Sequence, residues 1–307
     1  MYYYHFHQWL SFFYFYCIFG WCFESTYVSL AKRKLINRGF MKGPWLPLYG
    51  TGAIAVLFVT LPFQSDWRLV YLVGALTATI LEYIVGVLMV ALFKVRYWDY
   101  SYRKIQFQGH ICLVSSIAWG FLSLLMVYVV HEPVATFILS LNNDLVYVVT
   151  FILTVIIVFD FTNSFRRAMD LRNLIIQAKK LKTQLSDCME LQRELVKSNV
   201  EEKWVILNAR MDYMQEHWTG QFANKANELS AILNDQKLQT DEQLARFEEF
   251  TEKQINDMKD KVEIIRQKML PPAGHMLMNN PGAKMIGLKK ETKILKKRLK
   301  KKKQMNS

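Results

Sequence analysis

Cysteine is scarce in this chain: four in 307 residues, with no CxxC pair. Cys17, Cys22 and Cys112 lie in apolar runs, where a thiol behaves as a small hydrophobe, so neither a disulfide framework nor a zinc site organises the fold. His5 and His7 stand two apart without a third ligand in sight, and no metal site is expected there. Signatures of nucleotide and hydrolytic chemistry are missing too: no G-x-S-x-G, H-E-x-x-H, P-loop or Gly-rich dinucleotide motif occurs. No cofactor is expected, and any ATPase that serves this protein is a separate chain. Between residues 166 and 269 proline is absent and glycine occurs once, at Gly220. The usual helix breakers are therefore nearly gone from that stretch.

What is abundant is apolar sequence, unevenly placed. The mean hydropathy of +0.06 averages two unlike halves. Residues 1–165 hold nearly all the long apolar runs, and residues 166–307 are rich in Gln, Asn, Lys and Glu. A helix needs roughly 20 apolar residues to cross the hydrocarbon core. Five spans are expected, at about 9–30, 48–65, 69–93, 111–131 and 145–165, with "VATFILSL" between the last two read as an interfacial or re-entrant piece. The loop after the first span carries Lys32, Arg33, Lys34, Arg38 and Lys42, and the loop after the third carries Lys94, Arg96, Arg103 and Lys104. The intervening loops hold one cation (Arg68) or none, and Arg166, Arg167 and Arg172 follow the fifth span. That alternation predicts an external N-terminus and a cytoplasmic C-terminal half. The first segment lacks a basic leader and a small-residue cleavage site, so it is read as a span and not as a signal peptide. The fold class expected is an all-α, polytopic helix bundle in the cell membrane, followed by a long cytoplasmic helical region.

In that region apolar residues recur at 3/4 spacing in three runs: Leu171 to Leu185, Trp204 to Trp218, and Ile255 to Met269. The runs do not share one phase, which predicts an interrupted coiled coil over 166–270 and a homo-oligomer formed through it, or else a helical hairpin packing on itself. "PPAGHMLMNNPGAKMIG" is expected to end the helix, leaving 271–307 as a disordered, Lys-rich tail. Residues 289–303 carry ten Lys/Arg and one Glu, and so supply +9 of the formal +13. A basic block beside anionic lipid gains about 1 kcal/mol per Lys. Lys296, Lys297, Arg298, Lys300, Lys301, Lys302 and Lys303 are therefore candidate lipid contacts, whereas nucleic acid is disfavoured because no aromatic residues are interleaved to stack on bases.

Three carboxylates fall inside spans: Glu24, Glu82 and Asp160. A charge at a helix centre costs about 2.5–3.5 kcal/mol on insertion scales, so each should face a cation, a cavity or the bundle interior. Asp160 lies near the end of its span and is expected to pair with Arg166. "RGFMKGPWLPLYGTGA" (38–53) mixes four Gly, two Pro and a Lys, a composition suited to a re-entrant loop. Lys42 is the counter-ion expected for a membrane carboxylate. With "VRYWDYSYRKIQFQGHICL", that loop is expected to floor a polar cavity under Glu24 and Glu82. Its candidate residues are Trp21, Glu24, Lys42, Tyr49, Glu82, Trp98, Asp99, Tyr100, Ser101 and His110.

"GWCFES", "KGPWLPLYGTGA", "LEYIVGVLMVALFKVRYWDYS" and "GHICLVSSIAWG" occur in that order over about residues 17–122. Together they resemble the CmpB-like ABC-transporter type IV membrane family, with its G-W-x-x-E, K-G-P-x-x-P-x-Y-G, L-E-Y, W-D-Y-S and late W-G elements. The resemblance carries the motif onto Trp21, Glu24, Lys42, Gly43, Pro44, Pro47, Tyr49, Gly50, Glu82, Trp98, Asp99, Tyr100, Ser101, Gly109, Trp119 and Gly120. Where relatives have Asn and Arg in the fourth block, this chain has Gln108 and His110, so a charge contact made there would require a protonated imidazole. The resemblance names the fold more than the activity; the expected cavity at Glu24 and Glu82 points to a permease-like component that binds or moves a small polar or cationic solute, with any ATPase subunit a separate chain. Two other readings stand beside it: a membrane-anchored coiled-coil scaffold, and a lipid-modifying enzyme using Asp99, Ser101 and His110.

Overall fold

The computed structural model describes residues 4–197, 205–206, 224, 231, 240–280 and 282–305. Helix α1 (Phe6–Lys32) is followed by an irregular loop, α2 (Pro47–Thr60) with a 3-10 turn (Leu61–Phe63), and α3 (Trp67–Phe93). Pro47 begins α2, where its fixed φ suits the first helical turn and its missing N–H costs nothing. Asp66 caps α3 by accepting from the Arg68 N–H at 2.9 Å. Strands β1 (Val95–Arg96), β2 (Gln106–Phe107) and β3 (Ile111–Cys112) bring the chain to α4 (Leu113–Leu125), which passes through a π turn (Met126–Val130) into α5 (His131–Ser140). Then come α6 (Asn143–Lys197), α7 (Thr240–Asn279), β4 (Lys284–Met285) and α8 (Lys289–Met305).

Three helical stretches are long and apolar enough to cross a membrane: Trp67–Phe93, Leu113–Ser140 and Asn143–Glu194. Helix α1 has the length, at 27 residues, but its Tyr, Trp and His side chains keep it out of that group. Pro47–Phe63 is apolar and shorter. The expected interfacial piece "VATFILSL" is instead continuous with the helix before it. Pro133 cannot donate to the Val129 carbonyl, and the wide turn immediately before it absorbs the misfit, so the helix runs on to Ser140.

The core of this body forms on two sides of α1. On one side Phe12 and Tyr16 pack with Ala53 and Leu57 of α2, Val70 of α3, Val127 and the α5 residues Val134, Ala135 and Ile138. On the other, Tyr14 packs with Ile157 of α6 and with Met41 and Trp45 of the α1–α2 loop.

The chain divides into two compact units: Met1–Asn173 with Leu270–Ser307, and Leu174–Met269. In the second unit Ile175, Ala178, Leu181, Gln184, Cys188 and Leu191 are buried at 3/4 spacing along α6. Of the positions in the first run (Leu171, Leu174, Ala178, Leu181 and Leu185), Leu174 and Leu185 are half-buried, and the buried stripe runs through Ile175 and Cys188 instead. On α7, Ile255, Met258 and Met269 of the third run are buried, and Val262 and Ile265 are half-buried. In the run Trp204–Trp218 the apolar positions Trp204, Leu207, Met211, Met214 and Trp218 lie outside the described residues, as does Gly220.

The C-terminal segment departs from the expected disordered tail. Helix α7 runs through Pro271 and Pro272 to Asn279, β4 pairs antiparallel with β1 (Val95 with Met285, Arg96 with Lys284), and α8 follows. Strands β2 and β3 form a second antiparallel pair, Gln106 with Cys112 and Phe107 with Ile111.

Candidate functional site

Helix α1 presents two adjacent stripes that hold the α1–α2 loop and the start of α2. Residues four apart share a helical face, and Cys17, Trp21, Ser25 and Ser29 all receive the loop. The Leu46 N–H donates to the Cys17 carbonyl, Trp21 Nε1 donates to Asn37 Oδ1, and Ser25 and Ser29 hydroxyls accept from the Arg38 and Ile36 amides. Cys17 lies 15 residues before the end of the helix, about 22 Å at 1.5 Å per residue. The loop therefore folds back along α1 to its middle, burying Met41 completely and most of Trp45.

The neighbouring stripe holds Gly20 and Glu24. A Cβ on Gly20 would fall inside the Tyr49 side chain, and one on Gly50 would fall on Cys17 and Phe13, so α1 and α2 meet at glycine on both sides. That closeness lets the Tyr49 hydroxyl donate to Glu24 Oε1 at 2.8 Å, while Arg38 Nε lies 3.4 Å from Glu24 Oε2. A cation from the basic loop does reach Glu24, but it is Arg38. Lys42 instead gives its carbonyl to Asn37, and its side chain is exposed.

Asp160 accepts from the Gly43 amide at 2.7 Å and from the Lys42 amide at 3.4 Å, with Ser164 at 3.4 Å. The Arg166 pairing expected from sequence gives way to a backbone cradle. The acid lies opposite the turn at Lys42 and Gly43 and gives their amide groups an acceptor.

Glu82, on α3, is 5% exposed. Tyr100 donates to Oε1 at 3.1 Å, and Trp119 Nε1 and the Ser115 hydroxyl donate to Oε2 at 3.0 and 3.4 Å. Among the described residues no Lys, Arg or His pairs with it. The Tyr49 and Trp119 rings meet edge to face with centroids 6.0 Å apart. The two carboxylates are thus linked through Tyr49 and Trp119 in one chain of side chains, which Arg38 extends beyond Glu24 and Tyr100 beyond Glu82.

Beside that chain is a cavity of about 120 Å³ bounded by Phe19, Phe23, Leu81, Leu122 and Met126 together with Tyr49, Glu82, Trp119 and Ser123. Glu24 does not line it. Its walls are mostly apolar, in contrast to the polar cavity the sequence suggests, because the first loop bonds to α1 and Asp160 and the second bonds largely within itself.

In the second loop the Asp99 carboxylate accepts from Arg96 and from the Ser101 amide, each at 3.1 Å, and from Lys284 at 2.6 Å. Burial opposes its ionisation, yet the bonds from Lys284, Ser101 and Arg96 outweigh that and hold its pKa well below the ordinary carboxylate range. Trp98 Nε1 donates to the His110 carbonyl and the Tyr100 amide to the Gly109 carbonyl. Gly109 sits at φ +69°, with Arg96, Ser101 and Asp99 crowding the place a Cβ would take. Burial raises the Tyr100 phenol pKa, and Glu82 adds to the shift. His110 is buried against Gly86, and burial and then Arg96 lower its pKa. It stays neutral and makes no charge contact. Ser101 donates to Asp99, and His110 Nδ1 has no partner among the described residues, so these three residues show no nucleophile–base pair.

Residue types alone single out most of this constellation but miss Arg38, Asn37, Ser115 and Lys284. Trp119 was legible only as a motif residue. Lys284 had no sequence signal at all, since it lies 185 positions from Asp99.

The "Putative ABC-transporter type IV" family matches residues 11–165, half of the chain. The chain belongs to that family. The match reaches beyond the motif blocks at both ends and takes in α5 and the first part of α6. No curated protein and no solved structure matches the chain. With its three membrane-length apolar stretches, this family member is a membrane protein related to transport.

Proposed function

We propose that this is a multi-pass cell-membrane protein, a permease-like component whose solute site is the cavity at Glu82. On this reading α1, α2 with its 3-10 turn, α3, α4–α5 and the first part of α6 form five spans, and the alternating loop charge supports a cytoplasmic C-terminal half. The observation that carries the site is Glu82 itself: a carboxylate buried in a membrane-length helix, bonded among the described residues to neutral donors, at the wall of an apolar cavity. An intramembrane acid is by default a functional-site candidate, and a cationic solute is the partner that would neutralise it. The apolar walls narrow the solute to a cation that carries an apolar body, such as a small alkylammonium. The volume is near that of engineered apolar cavities that take up benzene, about 150 Å³. An ATPase, where flux is driven, is a partner chain.

The test uses full-length protein in nanodiscs and follows tryptophan fluorescence, since Trp119 both bonds Glu82 and lines the cavity. Hexylammonium is expected to perturb the signal saturably while hexanoate does not, and Glu82→Gln is expected to lose the response while still inserting and folding. Equal binding by Glu82→Gln, or equal binding of the anion, would overturn the reading.

A scaffold reading is favoured by one observation: α6 runs unbroken for 55 residues into a unit of its own. On that reading the homo-oligomer survives Glu24→Gln and Glu82→Gln and dissociates when 174–269 is removed.

A further inference from the structure

Helix α8 sorts its side chains by face. Leu288, Thr292 and Leu295 are turned inward, and Lys296 reaches back to donate to the Ala283 carbonyl at 2.9 Å. The outward positions Lys289, Lys290, Lys293, Lys297, Lys300 and Lys301 are all exposed, and every one is lysine. A helix with one wholly cationic face, held to the body by the other, is a fixed array rather than a solvated tail.

Its position is set by the strand before it. Helix α3 is a predominantly apolar helix of 27 residues, about 40 Å, which matches a bilayer with its headgroup layers. The Lys94 residue that caps α3 accepts from the Ile286 amide at 3.0 Å, next to the β1–β4 pairing. Asn280 ties the same segment to the α1–α2 loop by donating to the Gly39 carbonyl at 3.1 Å. Helix α8 begins three residues after Ile286, within about 10 Å of the end of α3 along an extended chain.

We propose that the lysine face of α8 docks on the anionic lipid surface of the protein's own membrane, anchored there by β4. The occupant is a bilayer surface because the array starts at headgroup level, and because α8 carries no aromatic residue to stack on a nucleic-acid base. A charged face opposite an anionic leaflet gains attraction from every lysine, and that attraction is screened by salt.

Full-length protein is reconstituted in nanodiscs of phosphatidylcholine alone or mixed with phosphatidylglycerol, and its amines are acylated and mapped by mass spectrometry. Lys290, Lys297 and Lys301 are expected to react at least about fivefold more slowly in the anionic discs, the factor that one lysine contact is worth. Lys253 and Lys259, exposed on α7, serve as reference sites, and high salt should restore the reactivity of the three. Equal labelling in both lipids overturns the proposal. So does protection by an added oligonucleotide in neutral discs without protection by anionic lipid, which would make the face a nucleic-acid surface.

Discussion

His110 and Asp99 titrate in different ranges, and that separates their contributions. Folding keeps His110 neutral, with its pKa lowered by burial and by Arg96. The unfolded loop would take up that proton near pH 6.5. Stability from this residue is therefore complete above about pH 6.5 and falls as the pH drops below it. Asp99 has a depressed pKa, so its contribution is present above about pH 4 and is lost only in stronger acid. Thermal melts from pH 7.5 to 5 should show a decline that His110→Gln flattens and Asp99→Asn does not. A decline unchanged in His110→Gln would mean that another group is responsible. At this scale the sequence singled out the acids but not every partner. Glu24, Glu82 and Asp160 stand out against apolar neighbours, whereas Arg38 was one of five cations in its loop and only the fold-back along α1 chose it.

At the scale of elements, the contact between α1 and α2 depends on Gly20 and Gly50, because no Cβ fits where Tyr49 crosses. Small residues at such crossings let helix backbones approach when lipid supplies no hydrophobic drive for association. Gly20→Val should cost about 1–3 kcal/mol by overpacking and pull Tyr49 from Glu24, seen as a lower melting temperature in detergent. Gly52→Ala is the control, since its Cβ would meet only Leu81 at an ordinary 3.7 Å. Equal effects from both variants would refute the close-approach argument. Element type was largely legible: an apolar run as long as that of α3 admits little but a helix. The join of α4 to α5 was not, because Pro133 reads as a breaker wherever the turn before it is unknown.

On the scale of the whole molecule, the C-terminal segment closes the chain onto its own family motif. Lys284 bridges Asp99 while remaining half-exposed, so the pair by itself should contribute about 1 kcal/mol or less. The β1–β4 bonds and Asn280 share the docking. Lys284→Gln is therefore expected to speed amide exchange in β1 and β4 by about fivefold or less, without releasing α8. A wholly unprotected C-terminal segment in that variant would show the bridge to be the main anchor.

Composition and periodicity by themselves determined that the first half is apolar helix of membrane length, that a buried acid must find partners there, and that a long charged helix comes after it. Those conclusions rest on local physics: the cost of leaving backbone groups or charge in an apolar medium does not depend on what lies across the fold. Tertiary structure alone decided which groups meet. Arg38 over Lys42 at Glu24, backbone amides over Arg166 at Asp160, and Lys284 at Asp99 were each chosen among near-equivalent candidates by where helices cross and loops return. A hydrogen bond selects its partner within a few tenths of an ångström, and no spacing along the chain encodes that distance.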